Sequence, residues 1–291
     1  INVKLTDTIR GSDIFVISSG CALDGRSIND HLIESLLLCD ACRRSNAKSI
    51  TFITTSFPYA RADKKDHRGP ISSKLVIDLI VASGANRIIS VDLHSGQIQG
   101  FADIPFDNLY SINNMIYHFK NGIFKDKTNE ELNKEYILVS PDAGGIKRIE
   151  SYAKKLGIDF IILHKQRNYS QKNTVDKSIL VGEHHLLKDK IAIVGDDMID
   201  TCGTMVKGIE VLMEKGARGV ILFATHGIFS GPALERIMKT DAILKVIVTN
   251  SLPQQENIKK CPKIECIDMG PFIGDVIKRL TTGLSVSELF S

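Results

Sequence analysis

Between residues 195 and 204 the sequence reads Gly195-Asp196-Asp197-Met198-Ile199-Asp200-Thr201-Cys202-Gly203-Thr204, which packs three aspartates and two threonines into ten residues. The segment follows the apolar run Ile191 to Val194. It precedes a helical pattern, starting near Thr204, that turns Val206, Ile209 and Val211 inward. Backbone amides of Cys202, Gly203 and Thr204, with the hydroxyls of Thr201 and Thr204, converge there on a helix N-terminus, where the dipole favours a phosphate. Asp196 and Asp197 would repel that anion, but they suit vicinal sugar hydroxyls as hydrogen-bond acceptors, or a metal ion. Phosphate at one end and hydroxyls at the other describe a pentose phosphate. A solvated acidic turn with a threonine cap is the plainer alternative, and so dense a run of functional groups behind a buried strand speaks against it.

Lys165 and Arg167 follow the apolar run Phe160 to His164. If the extended backbone persists, both side chains point to one face and form a two-pronged cationic clamp. The polar, aperiodic stretch Asn168 to Asn173 behind them has the character of a lid. Asp92 and His94 stand at the end of the run Arg87 to Val91, and Asp142 at the end of Tyr136 to Ser140. These are strand ends, where open parallel sheets bind ligands. Cys39 and Cys42 have a C-x-x-C spacing, yet they fall in a helical pattern with Leu32, Ile33, Leu36 and Leu37 and read as core.

Short β-branched runs alternate with helical periodicities throughout, so the fold is α/β, with parallel sheets flanked by helices. The strand candidates are 13–18, 49–54, 87–91, 136–140, 160–164, 191–194, 220–225 and 243–248. At 291 residues two cores are expected. Lys120-Asn121-Gly122 and the charged stretch Lys125 to Glu135 place the boundary near residue 122. That gives an N-terminal domain over 1–122 and a C-terminal domain over 123–274, with 275–291 returning to complete the first. A net charge of +3, from 37 basic and 34 acidic side chains spread along the chain, leaves no basic stripe for nucleic acid. No apolar run reaches the roughly 18 residues of a membrane span, and the N-terminal residues lack signal-peptide character. Six irregularly spaced cysteines suit a reducing compartment, so a cytoplasmic location is expected.

The acidic segment resembles the ribose-5-phosphate loop shared by phosphoribosyltransferases and phosphoribosyl pyrophosphate synthetases. Four further segments, Phe57 to Arg61, Asp92 to Phe101, Ser140 to Gly145 and Thr225 to Ala233, are similar to segments of the synthetases and occur in synthetase order. The resemblance runs over essentially the whole chain. It implies two similar phosphoribosyltransferase-type domains and transfer of the β,γ-pyrophosphoryl group of ATP to the anomeric hydroxyl of ribose 5-phosphate.

By the same resemblance Lys165 and Arg167 are catalytic, and Arg61, Asp66 and His94 meet ATP. Asp196, Asp197, Asp200, Thr201, Cys202, Gly203 and Thr204 hold ribose 5-phosphate. His94, Asp142 and, as a weaker candidate, Asp92 bind Mg2+. The resemblance further implies a homo-oligomer built from dimers, up to a hexamer, with phosphate and ADP as effectors. Ala62 stands where members have glutamine, and Gly96 where many have serine. Members also carry, ahead of the residue matching Ile1, a strand, a helix and a Phe-x-Asn-x-Glu segment that contributes to the adenine pocket; truncation and natural loss both remain open for this sequence. Two rival functions are a non-catalytic synthetase-associated regulatory subunit and a phosphoribosyltransferase. The second would need neither the His94 segment nor the Lys165 lid.

Overall fold

A computed structural model of the chain describes residues 1–65, 67–166, 177–181 and 184–290. They divide into two compact units. One comprises Ile1–Ser111, Ser251–Pro253 and Gly270–Ser291, and the other Ile112–Asn250 and Gln254–Met269.

The first unit is built on β1 (Asp13–Ser18), α1 (Ile28–Arg44), β2 (Ser49–Thr54), α2 (Ser72–Ser83), β3 (Arg87–Val91) and β4 (Phe106–Leu109). The strands form a parallel sheet in the order β1-β2-β3-β4. A β-α-β rhythm of this kind permits only parallel neighbours, because each helix returns the chain to the same end of the sheet. Ser27 starts α1 through a capping box with Asp30. Gly84 ends α2 at φ 113°, beside the Arg43 side chain, where only a residue without Cβ fits comfortably. Val16, Phe52, Ile77 and Ile88 fill the core with Cys39 and Cys42, which are buried free thiols. Burial pushes the Cys39 thiol up to about 11, consistent with packing rather than redox chemistry.

The second unit contains α3 (Ile112–Asn121), α4 (Asn129–Glu135), β5 (Tyr136–Ser140), α5 (Ile146–Leu156), β6 (Phe160–Gln166), β7 (Lys177–Val181), β8 (Ile191–Ile199), α6 (Gly203–Glu214), β9 (Gly219–Gly227), α7 (Ala233–Lys239), β10 (Ile243–Thr249), α8 (Gln255–Lys260) and β11 (Ile264–Ile267). Its sheet runs β11-β10-β9-β8-β5-β6-β7, parallel except for the antiparallel edge strand β7. The central strands are apolar on both faces. Val220, Leu222 and Ala224 face one core and Ile221 and Phe223 the other, as period-2 alternation requires. The final helix α9 (Gly270–Thr282) belongs to the first unit.

The division between units falls at Ser111 and Ile112, ahead of the expected break near 122. The reason is packing: Met115 and Phe119 on α3 are fully buried in the second unit's core, with Phe119 edge-on to Phe223 at 5.4 Å. The charged stretch after residue 125 also forms structure. Thr128 and Glu131 make a capping box, and Leu132 anchors the short α4 to the core.

Candidate active site

In the second unit the chain leaves β5 toward β6 on one side and, after β7, returns through β8 to β9 on the other. The strand order therefore reverses between β5 and β8, and a crevice at the carboxyl ends of two such strands is where open α/β sheets bind ligands. Asp142 follows β5. The acidic segment lies at the end of β8.

The expected strand over 191–194 is longer than its apolar run. β8 continues to Ile199, because β9 extends through Thr225, His226 and Gly227 and supplies hydrogen-bonding partners throughout. Asp196 and Asp197 are therefore strand residues, and the loop shrinks to 200–202. Gly195 opens this stretch against a ring: a Cβ there would lie 2.1 Å from Phe223 Cζ. Asp197 is buried at 3% exposure, while Asp196 is half-buried. The Asp197 amide donates to Asp196 Oδ1 at 2.8 Å. Arg148, projecting from α5, places Nη1 at 3.3 Å from Asp196 Oδ1 and 3.5 Å from Asp197 Oδ1. Burial raises the pKa of the Asp196 carboxyl well above the usual range, and side-chain hydrogen bonding and repulsion with the Asp197 carboxyl add to the rise; the Asp197 amide and Arg148 oppose it. A pair of acceptors held by one guanidinium is suited to donors that arrive in pairs, such as vicinal hydroxyls.

Beyond the strand, Cys202 adopts a left-handed conformation at φ 59° and starts α6 without a side-chain cap. No acidic residue occupies the helix's first turn. The N-terminus of this 12-residue helix thus has no cap from its own N-cap side chain, and the exposed Thr201 and Thr204 stand beside its leading amides, the arrangement that suits an anion. Arg236 of α7 donates from Nη1 to the Thr201 carbonyl at 2.7 Å, bracing the turn. Burial pushes the Cys202 thiol up to about 12, so this residue contributes its backbone rather than a nucleophile.

At the end of β5, Ser140 Oγ donates to the Asp142 carbonyl at 2.8 Å, and Asp142 Oδ1 accepts from the Gly145 amide at 3.0 Å. These bonds fold the turn into α5, which carries Arg148. Lys165 lies in β6, paired with Ser178 of β7. Arg167 and Asp66 fall outside the described residues.

In the first unit Asp92 is buried, has a strained φ of 42°, and accepts at Oδ2 from the Ser111 amide at 3.0 Å and its hydroxyl at 2.5 Å. Oδ2 of this carboxylate is thus held by the Ser111 turn. His94, two residues on, is exposed, as is Arg61. Among the described residues no three His, Cys, Asp or Glu side chains cluster to hold a metal ion. In the second unit the partly exposed carboxylate of Asp142, at a strand end, is the kind of oxygen ligand that suits a hard cation bringing most of its own oxygen ligands, as Mg2+ does on nucleotide phosphates.

Two family models match the chain: the N-terminal domain of ribose phosphate pyrophosphokinase over residues 1–84, and the phosphoribosyl synthetase-associated domain over 179–291. The crystal structure of phosphoribosylpyrophosphate synthetase from Mycobacterium smegmatis is similar at a TM-score of 0.83 and 37% identity, over 96% of this chain and 86% of that one. The chain belongs to the ribose-phosphate pyrophosphokinase family. It is a ribose-phosphate diphosphokinase, an enzyme that makes phosphoribosyl pyrophosphate and AMP, and the α/β architecture is that of its family. The adenine phosphoribosyltransferase of Saccharomyces cerevisiae is similar at a TM-score of 0.34 and 17% identity, over 46% of this chain and 74% of its own, a likeness too slight to bear on activity.

Of the enzyme's expected site residues, the structure gathers Asp196 and Asp197 at the end of β8, Asp200, Thr201 and Cys202 in the loop after it, Gly203 and Thr204 at the start of α6, and Asp142 just past the neighbouring strand β5. Sequence reasoning missed Arg148 and Arg236, which sit 48 and 35 residues from the groups they bond. The one signal for Arg148 was its place three residues beyond Gly145, on the first turn of the helix that the Ser140 to Gly145 segment opens.

Proposed function

We propose that ribose 5-phosphate binds in the second unit with its phosphate on the amides of Gly203 and Thr204 and the hydroxyls of Thr201 and Thr204. Its ring hydroxyls donate to Asp196 and Asp197, with Arg148 keeping the two carboxylates paired. Asp200 joins this acidic stretch, and Cys202 shapes the turn through its backbone. The observation that carries this assignment is the uncapped start of α6 lying a few residues beyond a carboxylate pair, at the point where strand order reverses.

ATP is assigned to Arg61, Asp66 and His94. His94 and Asp142 are each assigned to Mg2+ by the family resemblance, and the ion would supply charge neutralisation at phosphate oxygens. The anomeric hydroxyl attacks the β-phosphorus, the bond to the α-phosphate oxygen breaks, and AMP leaves. Lys165 and Arg167 are the cations assigned to the charge that builds on the transferring group. From the family resemblance the chain is assigned to a homo-oligomer built from dimers, up to a hexamer, with phosphate and ADP as effectors. The six free cysteines support work in the reducing cytoplasm. No helix among the described residues is long and apolar enough to cross a membrane.

Calorimetry tests the sugar site. At a pH of about 8.5, above the raised pKa of Asp196, Asp196→Asn is expected to weaken ribose 5-phosphate about tenfold, by loss of a charged acceptor, while leaving inorganic phosphate affinity unchanged. An unaltered affinity for ribose 5-phosphate would contradict the assignment.

A further inference from the structure

We infer that Asp92 is a positioning residue for His94 and not a metal ligand. The inference rests on the assignment of His94 to the nucleotide. Asp92 directly follows β3, is 9% exposed and adopts φ 42°, a region that non-glycine residues enter only when their surroundings hold them there. Several contacts hold it. Its amide donates to the Leu109 carbonyl at 2.8 Å, and its Oδ2 accepts both donors of Ser111. The next amide, Leu93, donates to Asn108 Oδ1 at 3.0 Å, and the Asn108 amide in turn donates to Gln99 Oε1 at 3.2 Å. The chain leaving β3 is thus pinned near the end of β4 at both residues that precede the exposed His94.

Geometry and chemistry agree on this role. A buried carboxylate oxygen that accepts two hydrogen bonds inside the protein is committed to the fold, and a cation at that oxygen would compete with both donors. A bond through Ser111, by contrast, gives Asp92 a direct means of setting where His94 stands.

The test uses the full chain with Asp92→Ala, Ser111→Ala and the double variant, each checked for melting temperature. Four quantities are compared: KM for ATP, kcat, the Mg2+ concentration at half-maximal turnover, and the His94 ring resonance of the ligand-free protein, identified by its loss in His94→Ala. Each single variant is expected to raise KM for ATP about fivefold with kcat within about twofold. The double variant should match Asp92→Ala alone, as for residues acting through one bond. The His94 resonance should move in all three, and the Mg2+ midpoint should stay at its wild-type value. The inference is overturned if Asp92→Ala shifts the Mg2+ midpoint about tenfold or more while Ser111→Ala leaves KM and the His94 resonance untouched. If Asp92→Ala does not fold, Ser111→Ala alone decides, and an unmoved His94 resonance overturns the inference. A normal KM for ATP in His94→Ala would instead sink the nucleotide assignment of His94, an outcome distinct from either of these.

Discussion

The guanidinium of Arg236 donates to the carbonyl of Thr201 across 2.7 Å, tying α7 to the turn that begins α6. The same nitrogen lies 3.0 Å from where a Cβ on Gly203 would stand, so the turn and the arginine fit closely. With Thr201 held, Cys202 keeps its left-handed conformation and the leading amides of α6 keep a common direction. Arg236→Ala should raise KM for ribose 5-phosphate about tenfold with kcat within about threefold, since the loss falls on ground-state binding. Steady-state kinetics at saturating ATP checks this, and a normal KM would show that the turn stands without the arginine.

Asp196 gives the ligand-free protein a pH signature. Burial and the neighbouring Asp197 raise its folded pKa to about 7, so the folded state favours the protonated form. A raised folded value means that its stabilising contribution is complete below the ordinary carboxylate range, near pH 4, and is lost as pH climbs through about 7. Melting temperature should therefore fall between those pH values more in the wild type than in Asp196→Asn. Equal slopes for the two proteins would contradict the cause assigned to the shift.

Much of this molecule was legible in its sequence because its central strands are buried on both faces. Runs such as Ser49–Thr54 and Tyr136–Ser140 announce themselves by composition, and the structure returns them with those bounds. The short strands Phe106–Leu109 and Ile264–Ile267 carry too few apolar residues to stand out, and their partners rather than their composition make them strands. The same holds for the far end of β8, which an acidic sequence hides until β9 pairs with it. Within the site, the groups on one continuous segment were visible together. Arg148, Arg236 and the Asp92–Ser111 bond were not, because tertiary folding brings distant residues into contact with no local pattern to mark them.

Lys165 is assigned a role confined to the transition state. Lys165→Ala should therefore lower kcat about a thousandfold or more while the affinity for ribose 5-phosphate stays within about threefold. Single-turnover kinetics and calorimetry on the same preparation separate the two effects. A variant that loses sugar affinity and keeps its turnover would remove Lys165 from the catalytic pair.

The central claim is that the intact β,γ-pyrophosphoryl group passes from ATP to ribose 5-phosphate on this chain. Phosphorus-31 NMR of the protein with ATP, Mg2+ and ribose 5-phosphate tests it most directly, because AMP, ADP and a sugar-bound pyrophosphate give separate signals. The account predicts that AMP and phosphoribosyl pyrophosphate appear in equal amounts, only when ribose 5-phosphate is present, and that both disappear in Lys165→Ala. Release of ADP, or of AMP without the sugar phosphate, would contradict it.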